Sequence, residues 1–175
     1  MKMAIEAVRV GSKRIKIIED NKKELEKLLS VSLNFEDNTV IINGEAENVY
    51  FALPVIKAIA RGFSLKDAEK LTSQDYVLEI IDLKDYCKTP NCIKRLKSRV
   101  IGKDGKIKMK IQETTQSIIS VYGHTVSFIS PYYTAQYVRE GIEMLLNGSK
   151  HSTLLRYLAK VKDKILYAQL TGKDL

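Results

Sequence analysis

The chain has no tryptophan, three prolines, two histidines and two cysteines in 175 residues, and each scarcity removes a class of protein. Two cysteines cannot supply the framework that staples small secreted scaffolds together. Cys87 and Cys92 also have no second Cys or His pair near them in sequence to complete a zinc site, so they read as two reduced structural thiols. His124, in GHTV, and His151, ahead of the last helix, sit beside no Ser or Cys in a nucleophile motif, and no P-loop or metal-ligand pattern occurs. They read as surface or capping residues, and the chain as a protein without catalysis, cofactor or metal. Acids such as Glu113 and Asp163 are scattered as helix-face charges and do not cluster as a nuclease requires. No apolar run approaches the roughly 20 residues of a membrane span, and MKMAIEAVRV lacks the uninterrupted apolar stretch of a secretory signal. A soluble, cytoplasmic protein with no membrane partner is expected.

What the chain does have is a globular composition, 45% hydrophobic and 29% charged, and a net charge of +8 that is not spread evenly. Between Lys88 and Lys110 stand nine basic residues (Lys88, Lys94, Arg95, Lys97, Arg99, Lys103, Lys106, Lys108, Lys110) against one acid, Asp104. The chain holds 29 basic and 21 acidic residues in all, so twenty of each remain elsewhere and this one segment carries the whole excess. A solvated basic face is the bland account of any charge run. Concentration in one place favours a polyanion as partner.

Comparing the chain with itself reveals a faint repeat at an offset of 86 residues, pairing Leu25 with Ile111, Val31-Ser32-Leu33 with Ser117-Ile118-Ile119, Thr39-Val40 with Thr125-Val126, Ile56 with Ile142 and Gly62 with Gly148. Each copy reads as strand, helix, helix, strand, strand, helix. Strands are expected at AIEAVRV, VSLNF and NTVIIN in the first copy, and at YVLEIIDL, QSIISVY and HTVSFI in the second. The closing helix of copy one runs from about Ala46 to Arg61, with Pro54 predicting a kink or a late start. That of copy two is predicted to open on Ser130 as N-cap and Pro131 in the first turn, and to close at Gly148. Ser64 and Asp67 mark a short linking helix, and Leu154, Leu158, Val161 and Ile165 share one face of a final helix from Ser152 to about Gln169, packed on the second unit's core. Two domains follow, residues 1–74 and 75–175.

The densest positive charge surrounds Gly102-Lys103-Asp104-Gly105. Two glycines three apart are a weak signal alone, but NCIKRLKSRV before them and KIKMKIQETT after them both read as helices. Such a loop lets backbone approach backbone, and the open amides at the start of the second helix form an anion site. Lys103, and Lys106 and Lys110 one turn apart, add charge at its flank.

This arrangement resembles the KH domain, the RNA and single-stranded DNA module whose GXXG loop clamps about four nucleotides. The order of elements resembles the type I version, which implies an α+β fold of two tandem type I KH units (β-α-α-β-β-α), each a three-stranded antiparallel sheet covered by helices. At the 86-residue offset the loop falls on Lys16-Ile17-Ile18-Glu19, which has no glycine, so the first unit is a degenerate copy. Lys108 stands where the KH groove usually has an apolar residue. A degenerate first KH unit, an intact second one, IARGFSLKDAEKL between them and the tail HSTLLRYLAKVKDK are together similar to the partner-of-Nob family of small-ribosomal-subunit maturation factors, in its short archaeal form.

The resemblance implies binding of single-stranded small-subunit precursor rRNA near its 3′ end through the second unit. It also implies a protein partner on the first unit: the endonuclease that trims that end, or another ribosome-assembly or translation protein. The nucleic-acid-binding residues are then Arg99, Ile101, Gly102, Lys103, Asp104, Gly105, Lys106, Lys108 and Lys110, with bases meeting the SIISVY strand. Tyr122 could stack on a base, although core or rim packing accounts for it more simply. Joint replacement of Gly102 and Gly105 by Asp is expected to abolish RNA binding with the fold intact, and changes at Lys16 or Glu19 to matter little. The alternatives are a protein-interaction adaptor and a KH-type regulator of mRNA or translation.

Overall fold

The computed structural model describes residues 2–171. The chain divides into two compact units whose boundary, between Leu78 and Glu79, falls inside a strand that pairs in the second unit's sheet. In the first, β1 (Met3–Arg9) leads into α1 (Ser12–Asp20) and α2 (Lys22–Leu29), followed by β2 (Ser32–Glu36), β3 (Thr39–Glu45) and α3 (Ala46–Ala60). The short α4 (Leu65–Glu69) follows, opened by Ser64, whose hydroxyl accepts from the Asp67 amide and donates to the Asp67 carboxylate. In the second unit come β4 (Tyr76–Asp82), α5 (Pro90–Ile101), α6 (Lys106–Thr115), β5 (Ile118–Tyr122), β6 (Thr125–Pro131), α7 (Ala135–Leu146) and α8 (His151–Thr171). The sheets have the orders β1-β3-β2 and β4-β6-β5, each with the strand that comes last in sequence in the middle.

The middle strand must hydrogen-bond on both edges, and the turn beside it sets the register. In the first unit Leu33 lies opposite Ile42; in the second Ile119 lies opposite Phe128. All four side chains are buried, each at its unit's centre. The repeat is physical as well as textual. Left-handed backbone recurs at Ser30 and Gln116, at Asp37 and Gly123, and at Gly62 and Gly148, each pair 86 residues apart. A side-chain oxygen on the second helix caps the following strand in both copies: Glu26 accepts from the Leu33 amide at 2.8 Å, and Gln112 from the Ile119 amide at 2.7 Å. Glu and Gln both present an oxygen at that reach, which is why the bond survives the change of charge.

A second shared device fastens the closing helices. Arg14 on α1 donates from Nε to the Ile59 carbonyl at 2.7 Å and from Nη2 to that of Phe63. Arg99 on α5 does the same to Leu145 at 2.9 Å and to Ser149. Each guanidinium adds a bond to a carbonyl in the last turn of α3 or α7 and to one just past it, and meets the negative end of that helix. His151, at the start of α8, places Nε2 3.1 Å from the Arg99 carbonyl, so one residue joins α5, α7 and α8. Arg99→Ala should therefore destabilise the second unit by about 2 kcal/mol or more, and Arg14→Ala the first by a similar amount. Lysine cannot span both acceptors and should restore only part of the loss in denaturant unfolding.

Three local expectations are corrected. α3 runs from Ala46 to Ala60 with Pro54 inside it, so of the kink or late start expected there the late start is excluded. The carbonyl that Pro54 deprives of a donor is that of Tyr50, a residue 74% exposed, where water can replace the lost bond. Ser130 and Pro131 do not cap the last sheet-covering helix. The apolar run Val126, Phe128 and Ile129 keeps β6 extended through Pro131, and a turn of 3₁₀ helix over Tyr132–Thr134 precedes α7. Ser130 is fully buried, and its hydroxyl has no partner among the described residues. Finally, Cys87 and Cys92 are joined as a disulfide and are not free thiols. The chain reverses through Thr89, whose hydroxyl caps α5, and this brings the two Cα atoms to 6.1 Å, within bridging range.

The final helix packs as its periodicity predicts. Leu154, Leu158, Val161 and Ile165 are buried, with Val161 and Ile165 against Tyr137 of α7. Tyr157 donates to Glu140 on α7, and burial pushes its phenol well above the ordinary tyrosine value, so it remains a donor at neutral pH.

Candidate nucleic-acid interface

The loop between α5 and α6 is built from backbone conformations that few side chains tolerate. Gly102 has φ 73° and ψ 178°, Asp104 φ 54° and ψ 27°, and Gly105 φ 74° and ψ 6°. The first of these angles is essentially confined to glycine, whereas the other two are left-handed turns that Asp also adopts. Gly102 donates to the Ser98 carbonyl at 2.9 Å and Gly105 to that of Gly102 at 3.3 Å, while Lys106 turns back to Lys103. Among the described residues no carbonyl answers the amides of Lys103 and Asp104. Both residues are exposed and both glycines are half-buried, so two free amides and the start of α6 are open to an anion.

The two glycines are not equivalent. A Cβ on Gly105 would meet nothing within 4 Å. One on Gly102 would stand 2.4 Å from Ile107 Cγ1, 2.7 Å from its Cβ and 3.0 Å from its amide nitrogen. Ile107 cannot yield, because with Ile111 it anchors α6 in the core. The expectation that both glycines accept Asp with the fold intact is therefore corrected for Gly102, which belongs to the fold as much as to the site.

The predicted basic residues separate onto different faces. Ile101 ends α5 half-buried beside the loop, and Lys108 is half-buried on the side of α6 from which Gln112 reaches β5. Gln112, one turn on from Lys108, bonds the Ile119 amide, so Lys108 lies on the face of α6 toward β5. Lys106 and Lys110, four residues apart and exposed, lie round the helix from Lys108, and Lys110 borders a cleft toward α8. Arg99 is committed to the end of α7, and Lys97 donates to the Gly123 carbonyl at 2.8 Å, tying α5 to the β5–β6 turn. None of the nine basic residues of the segment has an ion pair within 4.0 Å among the described residues, so their field is not cancelled locally. Sequence reading missed Lys162 on α8, which shares the cleft with Lys110.

In the first unit the positions matching the loop, Lys16 to Glu19, lie inside α1 with Ile18 fully buried. Their amides belong to helical turns, and α1 passes to α2 through Asn21 alone. Among the described residues these positions offer no open amides comparable to those of Lys103 and Asp104. Tyr122, at the end of β5, is half-buried. Among the described residues no three His, Cys, Asp or Glu side chains are grouped to hold a metal ion, and no helix is long and apolar enough to cross a membrane.

The family model of the eukaryotic type KH domain (KH domain type I), in the form found second in PNO1, matches residues 77–163. The KH domain-containing protein MJ0443 of Methanocaldococcus jannaschii is 38% identical over 176 residues, covering 95% of this chain and 78% of that protein. The chain belongs to the PNO1 family of KH-domain proteins. Within the family, the pre-rRNA-processing protein PNO1 of Chaetomium thermophilum is 28% identical over 130 residues, 70% of this chain and 50% of that protein. A chain in the crystal structure of the a/eIF2alpha-aDim2p-rRNA complex from Pyrococcus horikoshii superposes with a TM-score of 0.85 at 29% identity, covering 93% of this chain and 96% of that one. The PNO1-type second domain thus contains the loop, both helices that frame it and most of α8.

Proposed function

We propose that this chain is an RNA-binding factor of small-subunit ribosome biogenesis, holding single-stranded precursor rRNA near its 3′ end through the second KH unit. The observation that carries the reading is the pair of unanswered amides at Lys103 and Asp104, set between two helices inside the one segment that supplies the net positive charge. The sugar-phosphate chain would cross the loop with its phosphates on those amides and on Lys103, and with Lys106 at the flank. Bases would lie in the groove against Ile101, Lys108 and the edge of β5. Arg99 serves the fold in this account and not the RNA. Membership of a family with members named for pre-rRNA processing, and likeness to a chain from a complex containing rRNA, support the ribosomal target.

The first unit, with its loop replaced by helix, is assigned to a protein: the endonuclease that trims the rRNA 3′ end, or another assembly or translation protein. The a/eIF2alpha subunit present in the Pyrococcus complex favours the translation side. Cross-linking the chain to total cellular RNA should enrich the 3′ end of the small-subunit precursor. Enrichment of mRNA leaders in its place would replace the ribosomal reading with that of an mRNA regulator. In solution, affinity for single-stranded RNA should fall steeply with salt, and Lys103→Ala or Lys106→Ala should each flatten that slope by about one without altering sequence preference. An affinity indifferent to salt would leave only an adaptor.

A further inference from the structure

Round α6 from the groove, a second surface shares the chemistry of the first. α8 runs beside α6, and between them lies a cleft lined by Lys110, Glu113, Thr114 and Gln116 on one side and by Lys162, Gln169 and the apolar Ile165 and Leu166 on the other. Both lysines are exposed, and neither has an acid within 4.0 Å among the described residues, Glu113 included. The Thr114 hydroxyl donates to the Lys110 carbonyl at 2.9 Å, which leaves its oxygen as an acceptor. Gln116 receives the Tyr133 hydroxyl on its carbonyl oxygen, which leaves its amide as a donor. Two unpaired cations flanked by a neutral acceptor and a neutral donor suit phosphate oxygens alternating with 2′-hydroxyls. The cleft also continues the positive segment, since Lys110 is one turn along α6 from Lys106 and the loop, about 6 Å of helix.

We propose that the α6–α8 cleft is a second contact for the ribose-phosphate backbone of RNA, separate from the single-strand groove. It rests on the reading of the second unit as RNA-binding. The backbone held there is either the continuation of the bound strand beyond the loop or one strand of an adjoining duplex, and Lys110 and Lys162 would grip it from opposite walls.

The test compares the full chain with its Lys110→Ala/Lys162→Ala double variant on three probes: a single strand of about four nucleotides, what a KH groove clamps, the same strand extended at its ends, and the same strand joined to a hairpin. The double variant should lose on the order of tenfold more affinity on an extended probe than on the short strand at 0.1 M salt, with a salt slope on the extended probe lower by about two. Loss on the extended strand identifies flanking nucleotides; loss on the hairpin identifies a duplex. Unchanged affinity on both extended probes overturns the proposal, and so does an equal loss on the short strand, which would make the cleft part of the groove. Both substituted side chains are exposed, so the unfolding midpoint should not move. Gly105→Asp on the short strand tests the groove separately, and its failure would leave the result for the double variant intact.

Discussion

Replacing Gly105 with Asp should abolish binding of a short single-stranded RNA, by about 100-fold or more, while the second unit stays folded. Gly105 has the left-handed backbone that Asp tolerates, and Asp104 beside it already adopts the same region with φ 54°. A new Cβ there meets no atom within 4 Å, so the folded state loses only the residual cost of that conformation, about 1 kcal/mol. The cost to binding is larger. A carboxylate placed about 4 Å from a phosphate is opposed by roughly 1 kcal/mol in bulk water and about 4 kcal/mol at the effective dielectric of a protein surface. Its bulk also holds the RNA backbone away from the Lys103 and Asp104 amides. A 100-fold loss corresponds to about 2.7 kcal/mol, within that range. Direct titration with a labelled strand, beside a denaturant melt of the same variant, checks both halves. Binding that survives in a folded Gly105→Asp variant would exclude the loop as the clamp. Lys16→Asp in the first unit is the matched control: it also adds an acid at an exposed site, but inside α1, and should leave affinity within about twofold.

Much of the fold could be read from the chain because the 86-residue repeat let each copy vouch for the other. The turn at Asp37 is ambiguous alone, yet Gly123 opposite it in the alignment marks left-handed backbone, and both positions have it. The strand pairs and the closing glycines Gly62 and Gly148 followed in the same way. What remained hidden depends on partners distant in sequence. Arg99 stands in the most basic stretch of the chain and reads as a phosphate contact, yet its guanidinium meets carbonyls 46 and 50 residues away. Arg14 makes the matching pair of bonds at separations of 45 and 49, but the alignment slips by one residue ahead of the loop, so the two arginines never faced each other in the comparison. Ser130-Pro131 satisfies every local rule for a helix start, and the burial of β6 overrules it. The Cys87–Cys92 bridge was missed for a related reason, because spacing alone does not reveal that the chain folds back at Thr89.

The site divides along the same line. Its backbone was legible, since two glycines between two amphipathic segments permit few geometries. Its side chains were less so: Lys106, Lys108 and Lys110 alternate along the sequence, and only the phase of α6 against Gln112 and α8 sends them to different surfaces.

Gly102→Ala should cost the second unit about 3 kcal/mol or more, although it adds one methyl group. The region with φ 73° and ψ 178° is nearly closed to residues with a Cβ, a penalty of about 1 to 3 kcal/mol by itself. The methyl would also stand 2.4 Å from Ile107 Cγ1, closer than any van der Waals contact, and 3.0 Å from the Ile107 amide nitrogen, which belongs to the helix backbone and cannot rotate aside. Relief requires the first turn of α6 to move outward, and Ile107, now only 8% exposed, to leave the core it shares with Ile111. Gly105→Ala, with open space around it, should cost about 1 kcal/mol. The difference between the two alanine variants removes what glycine contributes to the entropy of the unfolded chain, because that term is common to both. Intrinsic fluorescence can follow the unfolding, since the chain has no tryptophan and seven of its nine tyrosines lie beyond Leu78. Equal midpoints for the two variants would refute the loop geometry. Unequal ones would mean that RNA affinity lost in any Gly102 variant reports a displaced α6, and that Gly105 alone isolates the contact with the nucleic acid.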